Sequence, residues 1–228
     1  VVENDADALP ALRELGVEVV EADLESPDWG RALVDRKFGA VLACDVLEHL
    51  REQTALLESL AGFLEPGGRL VISIPNVAYA GVLASLRAGL FEYTDTGLLD
   101  RTHYRFFTRH STERLLLECG WATEHWDAYR LPVEHSEFAR SWQALDAQQR
   151  QALVAGWGDF DVYEWMVVAS PLAASASREL RGALGRERQL QEQLQHLQTV
   201  HDSEHASLVE HQRAFSEAKQ IIARLEQE

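Results

Sequence analysis

The segment Phe38–Leu50, FGAVLACDVLEHL, constrains this chain more than any other. It opens on a short apolar run, Ala40-Val41-Leu42-Ala43-Cys44. A strand covered on both faces of a parallel sheet needs such a run, because neither side meets water. Asp45 ends it. From there the apolar residues fall at helical spacing: Val46, Leu47 and Leu50, then Leu56, Leu57 and Leu60. The spacing predicts a helix running to about Phe63. Asp45 then belongs to the carboxyl end of a strand and the start of a helix, the rim at which open α/β sheets bind ligands. Asp45, Glu48 and His49 stand at i, i+3 and i+4 and would share one face of the first helical turn. A helix start needs one acidic cap, so two carboxylates and an imidazole on one face are costly for structure alone.

The flanking sequence repeats the strand–helix alternation. Val1–Asp5 reads as a strand end with an acidic tip, Ala6–Leu15 as a helix broken at Gly16, and Val17–Asp23 as a second strand. Asp28–Arg36 is a helix or loop. Glu65-Pro66-Gly67-Gly68 is a turn whose dihedrals Pro and Gly set. Arg69–Ile74 is another buried strand, closed by Pro75-Asn76. Such alternation predicts a mostly parallel sheet with helices on both faces. Beyond it lie a helix at Val77–Leu90, an irregular aromatic stretch at Phe91–Thr108, and a helix at Ser111–Cys119 closed by Gly120. Strands are expected at Thr123–Tyr129 and Tyr163–Ala169. The polar helical excursion at Ser136–Ala155 reads as a lid or outer cover.

After Ala173 the composition shifts. Proline is absent, and Gln, Glu, Arg and His dominate. Leu180, Leu194, His201, Leu208, Phe215 and Ile222 share one heptad position; Ala183, Leu190, Leu197, Glu204, His211, Ala218 and Leu225 share the other. That seam predicts a coiled-coil helix over 173–228, appended to a globular domain over 1–172. The formal net charge of −16 disfavours a nucleic-acid partner, whose phosphates reward basic faces. Cys44 and Cys119 read as reduced, apolar-type cysteines, as in a cytoplasmic protein. No apolar run approaches the roughly 20 residues that span a bilayer.

Four stretches in this order, VVENDADA, VVEADLES, FGAVLACDVLEHL and LEPGGRLVISIPN, resemble the class I S-adenosylmethionine-dependent methyltransferases from Val1 to about Ala169. LLDRTHYRFFT is further similar to a subgroup found in bacterial surface-polysaccharide gene sets, sometimes fused to glycosyltransferases or coiled coils. The resemblance implies a Rossmann-like fold and S-adenosylmethionine as cofactor. It implies that Glu3, with Asn4 beside it, binds the ribose hydroxyls, and that Asp23, with the Leu24 backbone, takes the adenine amino group. Asp45 and Val46 would lie by the methionine part. The family's first strand and glycine-rich loop are expected ahead of Val1, so the sequence reads as N-terminally incomplete and as a poor binder of the cofactor by itself. Gly156-Trp157-Gly158 follows no apolar strand and is no substitute.

Methyl transfer to oxygen or nitrogen needs a base. His49 is the first candidate, oriented by Glu48 or Asp45; His103 is the second. D-x-x-E-H followed by H-x-R-F also resembles the metal-binding pattern of the small-RNA 2′-O-methyltransferases and the ubiquinone-pathway O-methyltransferases. That resemblance implies a divalent ion on Asp45, Glu48, His49 and His103. Arg101 and Arg105 would either hold an anionic substrate or pair with Asp100 and Glu113. Tyr79, Phe91, Tyr93, Tyr104 and Phe107 are expected to wall an acceptor pocket. Trp121, Trp126, Trp142, Trp157 and Trp165 are expected in the core or cover. The function expected is O-methylation of a glycan or other hydroxylated small molecule. The alternative is a degenerate methyltransferase fold serving as a coiled-coil scaffold or glycosyltransferase partner. A dinucleotide oxidoreductase would fit Glu3 but not DVLEHL or PGGRL.

Overall fold

The computed structural model describes residues 1–225, without the side chains at 174, 175, 177, 178, 181, 204 and 207–225. Strand β4 (Leu64–Pro75) is the axis of the globular unit. Successive strand residues point to opposite faces, and Leu70, Ile72 and Ile74 on one face are wholly buried. Strand β3 (Phe38–Cys44) pairs with β4 in parallel, Ala43 opposite Ile72 and Cys44 opposite Ser73. Strand β6 (Val162–Pro171) runs antiparallel along the other side of β4, and β5 (Trp121–Arg130) is antiparallel to β6. The sheet order is therefore β3-β4-β6-β5. Two short strands, β1 (Val2–Glu3) and β2 (Val20–Glu21), form a separate parallel pair. Helix α1 (Leu9–Glu14) joins them.

Two sheets thus stand where the alternation predicted one. Between β1–β2 and the outer edge of β3 lies a cavity of about 780 Å³, lined by Val2, Val20, Leu24, Val41, Cys44 and Leu56 among others. This corrects the reading of β3 as covered on both faces. Ala40, Leu42 and Cys44, which alternate onto one face of the strand, are exposed, Leu42 at 68%, while Cys119 is buried.

The main core joins the sheet to α2 (Gln53–Leu60) and α4 (Arg109–Glu118) through Leu57, Leu70, Ile72, Leu116 and Trp121. Thr108 and Ser111 cap α4 reciprocally. Gly120, at φ +85°, ends it in a conformation that other residues rarely adopt. The polar excursion folds as α5 (Ala139–Gln143) and α6 (Ala147–Val154) beside α3 (Ala80–Arg87). It covers a second apolar cluster built from Tyr79, Val82, Leu98, Val133, Phe138 and Trp142.

The described part of the second unit, residues 178–225, belongs to a single helix, α7 (Ala174–Leu225). Leu190, Leu194 and Leu197 are exposed along it. The seam positions at Leu208, Phe215 and Ile222 lie outside the described side chains. No described helix is long and apolar enough to cross a membrane.

Trp121 ties β5 to α2: it is fully buried, and its Nε1 donates to Leu57 O at 3.0 Å. Trp121→Ala leaves a large void and removes the indole donor to Leu57 O. A loss of about 3–5 kcal/mol is expected in a urea titration, and a loss below about 1 kcal/mol would contradict this account of the core.

Candidate active site

The site begins where β3 ends. Asp45 has φ +50°, in the left-handed region that costs a non-glycine residue strain. Its N–H donates to Ser73 O at 3.3 Å, and Ser73 Oγ donates to Asp45 Oδ1 at 3.2 Å. The chain turns sharply there into a 3₁₀ turn, Leu47–His49, instead of the long helix that the apolar spacing suggested. Leu50 is extended, and α2 starts only at Gln53. Gln53 stabilises the break, its Nε2 donating to the carbonyls of Leu47 and Leu50. The shared helical face of Asp45, Glu48 and His49 is therefore replaced by a tighter arrangement, in which Glu48 points inward and is buried.

A second segment closes over this turn. The N–H groups of Tyr104 and Arg105 both donate to Glu48 O, at 2.8 and 3.2 Å. They bring His103 beside His49, with ring centroids 4.7 Å apart. A pocket of about 230 Å³ results, lined by Asp45, Glu48, His49, Asp100, His103 and Glu164 among others. One ligand atom from each of Glu48, His49 and His103 lies within 4.8 Å of the others. Asp45 borders the pocket but is not part of that triad.

Glu48 is the exceptional group. It is 1% exposed, and neither carboxyl oxygen has a hydrogen-bond partner among the described residues. Burial pushes its pKa up to about 8, and the charges of Asp45 and Glu164 add to the shift. Burial also raises Glu164, and burial lowers His103, favouring a neutral imidazole. His103 Nδ1 lies 3.2 Å from Leu98 O, and His49 Nδ1 lies 3.1 Å from Thr102 Oγ1. Four carboxyl groups and two imidazoles line the pocket, and no lysine or arginine does. Such a site suits a cation, a proton or a neutral hydroxyl far better than an anion.

The residues expected to touch a cofactor lie at the neighbouring strand tips. Glu3 Oε1 accepts from the N–H groups of Asn4 and Asp5, both at 2.8 Å, and Asp23 Oδ1 accepts from Glu25 N at 2.9 Å. Glu3, Leu24 and Val46 line the larger cavity. Arg51 N donates to Glu25 Oε1 at 2.7 Å, bringing the end of β2 and the turn after β3 to one rim.

Other expected residues fall elsewhere. Arg101 pairs with Asp95 at 2.7 Å, not with Asp100 or Glu113. Arg105 donates to Arg51 O at 3.3 Å. Tyr79 and Phe107 are core residues, because the two apolar clusters absorb them, whereas Phe91, Tyr93 and Tyr104 are exposed. Trp121, Trp142 and Trp165 are buried and Trp126 and Trp157 partly so, as expected of core and cover. Glu164 went unread in the sequence: only the antiparallel insertion of β6 beside β4 carries it to the pocket.

Residues 5–125 match the family model of the methyltransferase domain. The chain belongs to that family, and its class is the S-adenosylmethionine-dependent methyltransferases. Several solved structures are similar at low identity. The CcbJ methyltransferase from Streptomyces caelestis is 16% identical, with 75% of this chain and 74% of that one covered and a TM-score of 0.45. A SAM-dependent methyltransferase from Archaeoglobus fulgidus is 15% identical, covering 74% and 73%, with a TM-score of 0.46. An S-adenosylmethionine-dependent methyltransferase from Clostridium acetobutylicum is 11% identical, covering 75% and 74%, with a TM-score of 0.45. No curated protein matches the sequence.

The buried carboxyl group makes stability depend on pH. Folded Glu48 holds its proton up to about pH 8, whereas an unfolded glutamate releases it near pH 4.3. Its contribution is complete at acid pH and is lost as pH rises between those values, by about 1.4 kcal/mol per pH unit. Glu48→Gln removes the titration. In thermal melts from pH 5 to 8 with EDTA present, the variant should gain on the parent as pH rises. A constant difference would contradict the assignment.

Proposed function

We propose that this protein transfers a methyl group from S-adenosylmethionine to a hydroxyl oxygen of a glycan or another hydroxylated small molecule. The transfer takes place at the pocket of Glu48, His49 and His103. One observation carries the reading: a carboxyl group buried with both oxygens unpartnered, beside two imidazoles, at the carboxyl end of a parallel strand. A structural glutamate would be paired or solvated.

S-adenosylmethionine supplies a methyl carbon made electrophilic by its sulfonium. The strand-tip residues fit it: Glu3 and Asn4 would take the ribose hydroxyls, Asp23 and Leu24 the adenine, and Asp45 and Val46 the methionine part. His49 takes the acceptor's hydroxyl proton as the oxygen–carbon bond forms and the carbon–sulfur bond breaks, with His103 as second base. Glu48, unpartnered and not bonded to either imidazole, holds a proton in the pocket rather than orienting His49 as the sequence suggested. Glu48, His49 and His103 would also hold Mg²⁺, Mn²⁺ or Zn²⁺, which would lower the pKa of a bound hydroxyl.

The strand edges of β1 and β3 that face the larger cavity lack ladder partners among the described residues. We propose that the slot takes one further parallel strand bearing the glycine-rich loop, and that residues 1–228 alone bind S-adenosylmethionine weakly. Tight binding by calorimetry would contradict this.

A second reading rests on α7, a unit apart from the globular one, with Leu190, Leu194 and Leu197 exposed. On that reading the helix self-associates or docks a glycosyltransferase in the cytoplasm, and the methyltransferase fold is a scaffold.

An acceptor screen with labelled methyl donor, run on the protein with its cofactor loop present, decides between them. His49→Ala should lower turnover by about 100-fold or more. Unchanged turnover would remove His49 from the chemistry. If an ion is held, EDTA should abolish turnover and Mg²⁺, Mn²⁺ or Zn²⁺ should restore it.

A further inference from the structure

The loop 97–105 carries more polar order than loop closure requires. Gly97 anchors it at φ +93°, where a Cβ would stand 2.5 Å from Glu137 Oε1. That same oxygen accepts from Leu98 N at 3.0 Å and from the Tyr163 hydroxyl at 2.9 Å. Leu98 and Leu99 are buried beside it. Asp100 then organises the turn: its Oδ1 accepts from Thr102 N at 2.8 Å and from Thr102 Oγ1 at 2.6 Å.

The direction of these bonds fixes a proton. An ionised carboxylate only accepts, so the single hydroxyl hydrogen of Thr102 goes to Asp100. Thr102 Oγ1 then has only lone pairs for His49 Nδ1, 3.1 Å away, so Nδ1 must be the protonated nitrogen. His103 obeys the same rule by another route, because the Leu98 carbonyl opposite its Nδ1 can only accept. In its neutral form each imidazole therefore carries Nδ1–H and leaves Nε2 bare. A bare Nε2 is what proton abstraction and cation ligation both require.

We propose that Thr102, held by Asp100, is a positioning residue that sets the tautomer of His49 and so delivers an unprotonated Nε2 to the pocket. The inference rests on the preceding functional reading only in giving that Nε2 work to do. It gives Asp100 and Thr102 of LLDRTHYRF a part in the site to which His103 of the same stretch belongs.

Thr102 is exposed, so its substitution leaves the core intact. Thr102→Val keeps the shape and removes the hydroxyl; Thr102→Ser keeps the hydroxyl. The ring nitrogens of His49 are read by long-range ¹H–¹⁵N correlation at pH 8 on the full chain, with His49→Ala assigning the signals. The parent and Thr102→Ser should show Nδ1 protonated, and Thr102→Val should shift protonation towards Nε2. An unchanged tautomer in Thr102→Val, or Nε2–H in the parent, would overturn the proposal. Where turnover is measured, Thr102→Val should lower it about 10–100-fold and Thr102→Ser should restore it. A changed tautomer at parental turnover would overturn the positioning role. Parental turnover in His49→Ala alongside the expected tautomers would instead leave Thr102's effect on the ring standing and refute the functional reading.

Discussion

Strand β4 is the element on which the globular unit depends. It is paired on both sides within the four-stranded sheet, to β3 in parallel and to β6 in antiparallel, and so joins the parallel part of the sheet to the antiparallel part. Its inner face, Leu70, Ile72 and Ile74, has no exposure. A central strand cannot shift register without turning that face to water, so its neighbours are fixed too. Ser73 on the opposite face meets Asp45 across the parallel register and Met166 across the antiparallel one, and Glu164 enters the pocket two residues from Met166. One register thus sets three of the polar positions around the site.

The site stores an uncompensated burden. A carboxyl group with no partner costs stability unless it keeps a proton or meets a cation. Here it shares a pocket with three more carboxyl groups and two imidazoles. The surroundings are rigid: a strained Asp45, a three-residue turn, and two loop N–H groups bonded to the Glu48 carbonyl. Rigid, poorly compensated charge at a strand end is what a ligand site looks like before its ligand arrives. The lack of cationic side chains in the lining argues that an anionic acceptor group would bind elsewhere.

Much of this was legible in the residues. The apolar run before Asp45, the Pro-Gly-Gly turn and the alternation of strands and helices locate β3, β4 and the rim between them. The reduced outcome for the helix after Asp45 has a local cause. Val46, Leu47 and Leu50 have helical spacing, but the chain forms a 3₁₀ turn with Leu47 and Glu48 buried, and Gln53 Nε2 donates to the carbonyls of Leu47 and Leu50 where the helix is interrupted. Tyr79 and Phe107 were misplaced because aromatic residues near a site look alike in sequence whether they line it or lie beneath it.

The sequence by itself determined where apolar runs end in acids, where the chain must turn, and which residue types could do proton or metal chemistry. Those follow from side-chain chemistry and local dihedral preference. Only the tertiary structure decided that His103 faces His49, that Asp45 is engaged by Ser73, that Glu164 joins the pocket, and that β3 faces an open slot. These depend on which strands become neighbours and on how a loop more than fifty residues away seats on a three-residue turn. Contacts of that kind are set by packing over the whole domain, and no local window of sequence contains them.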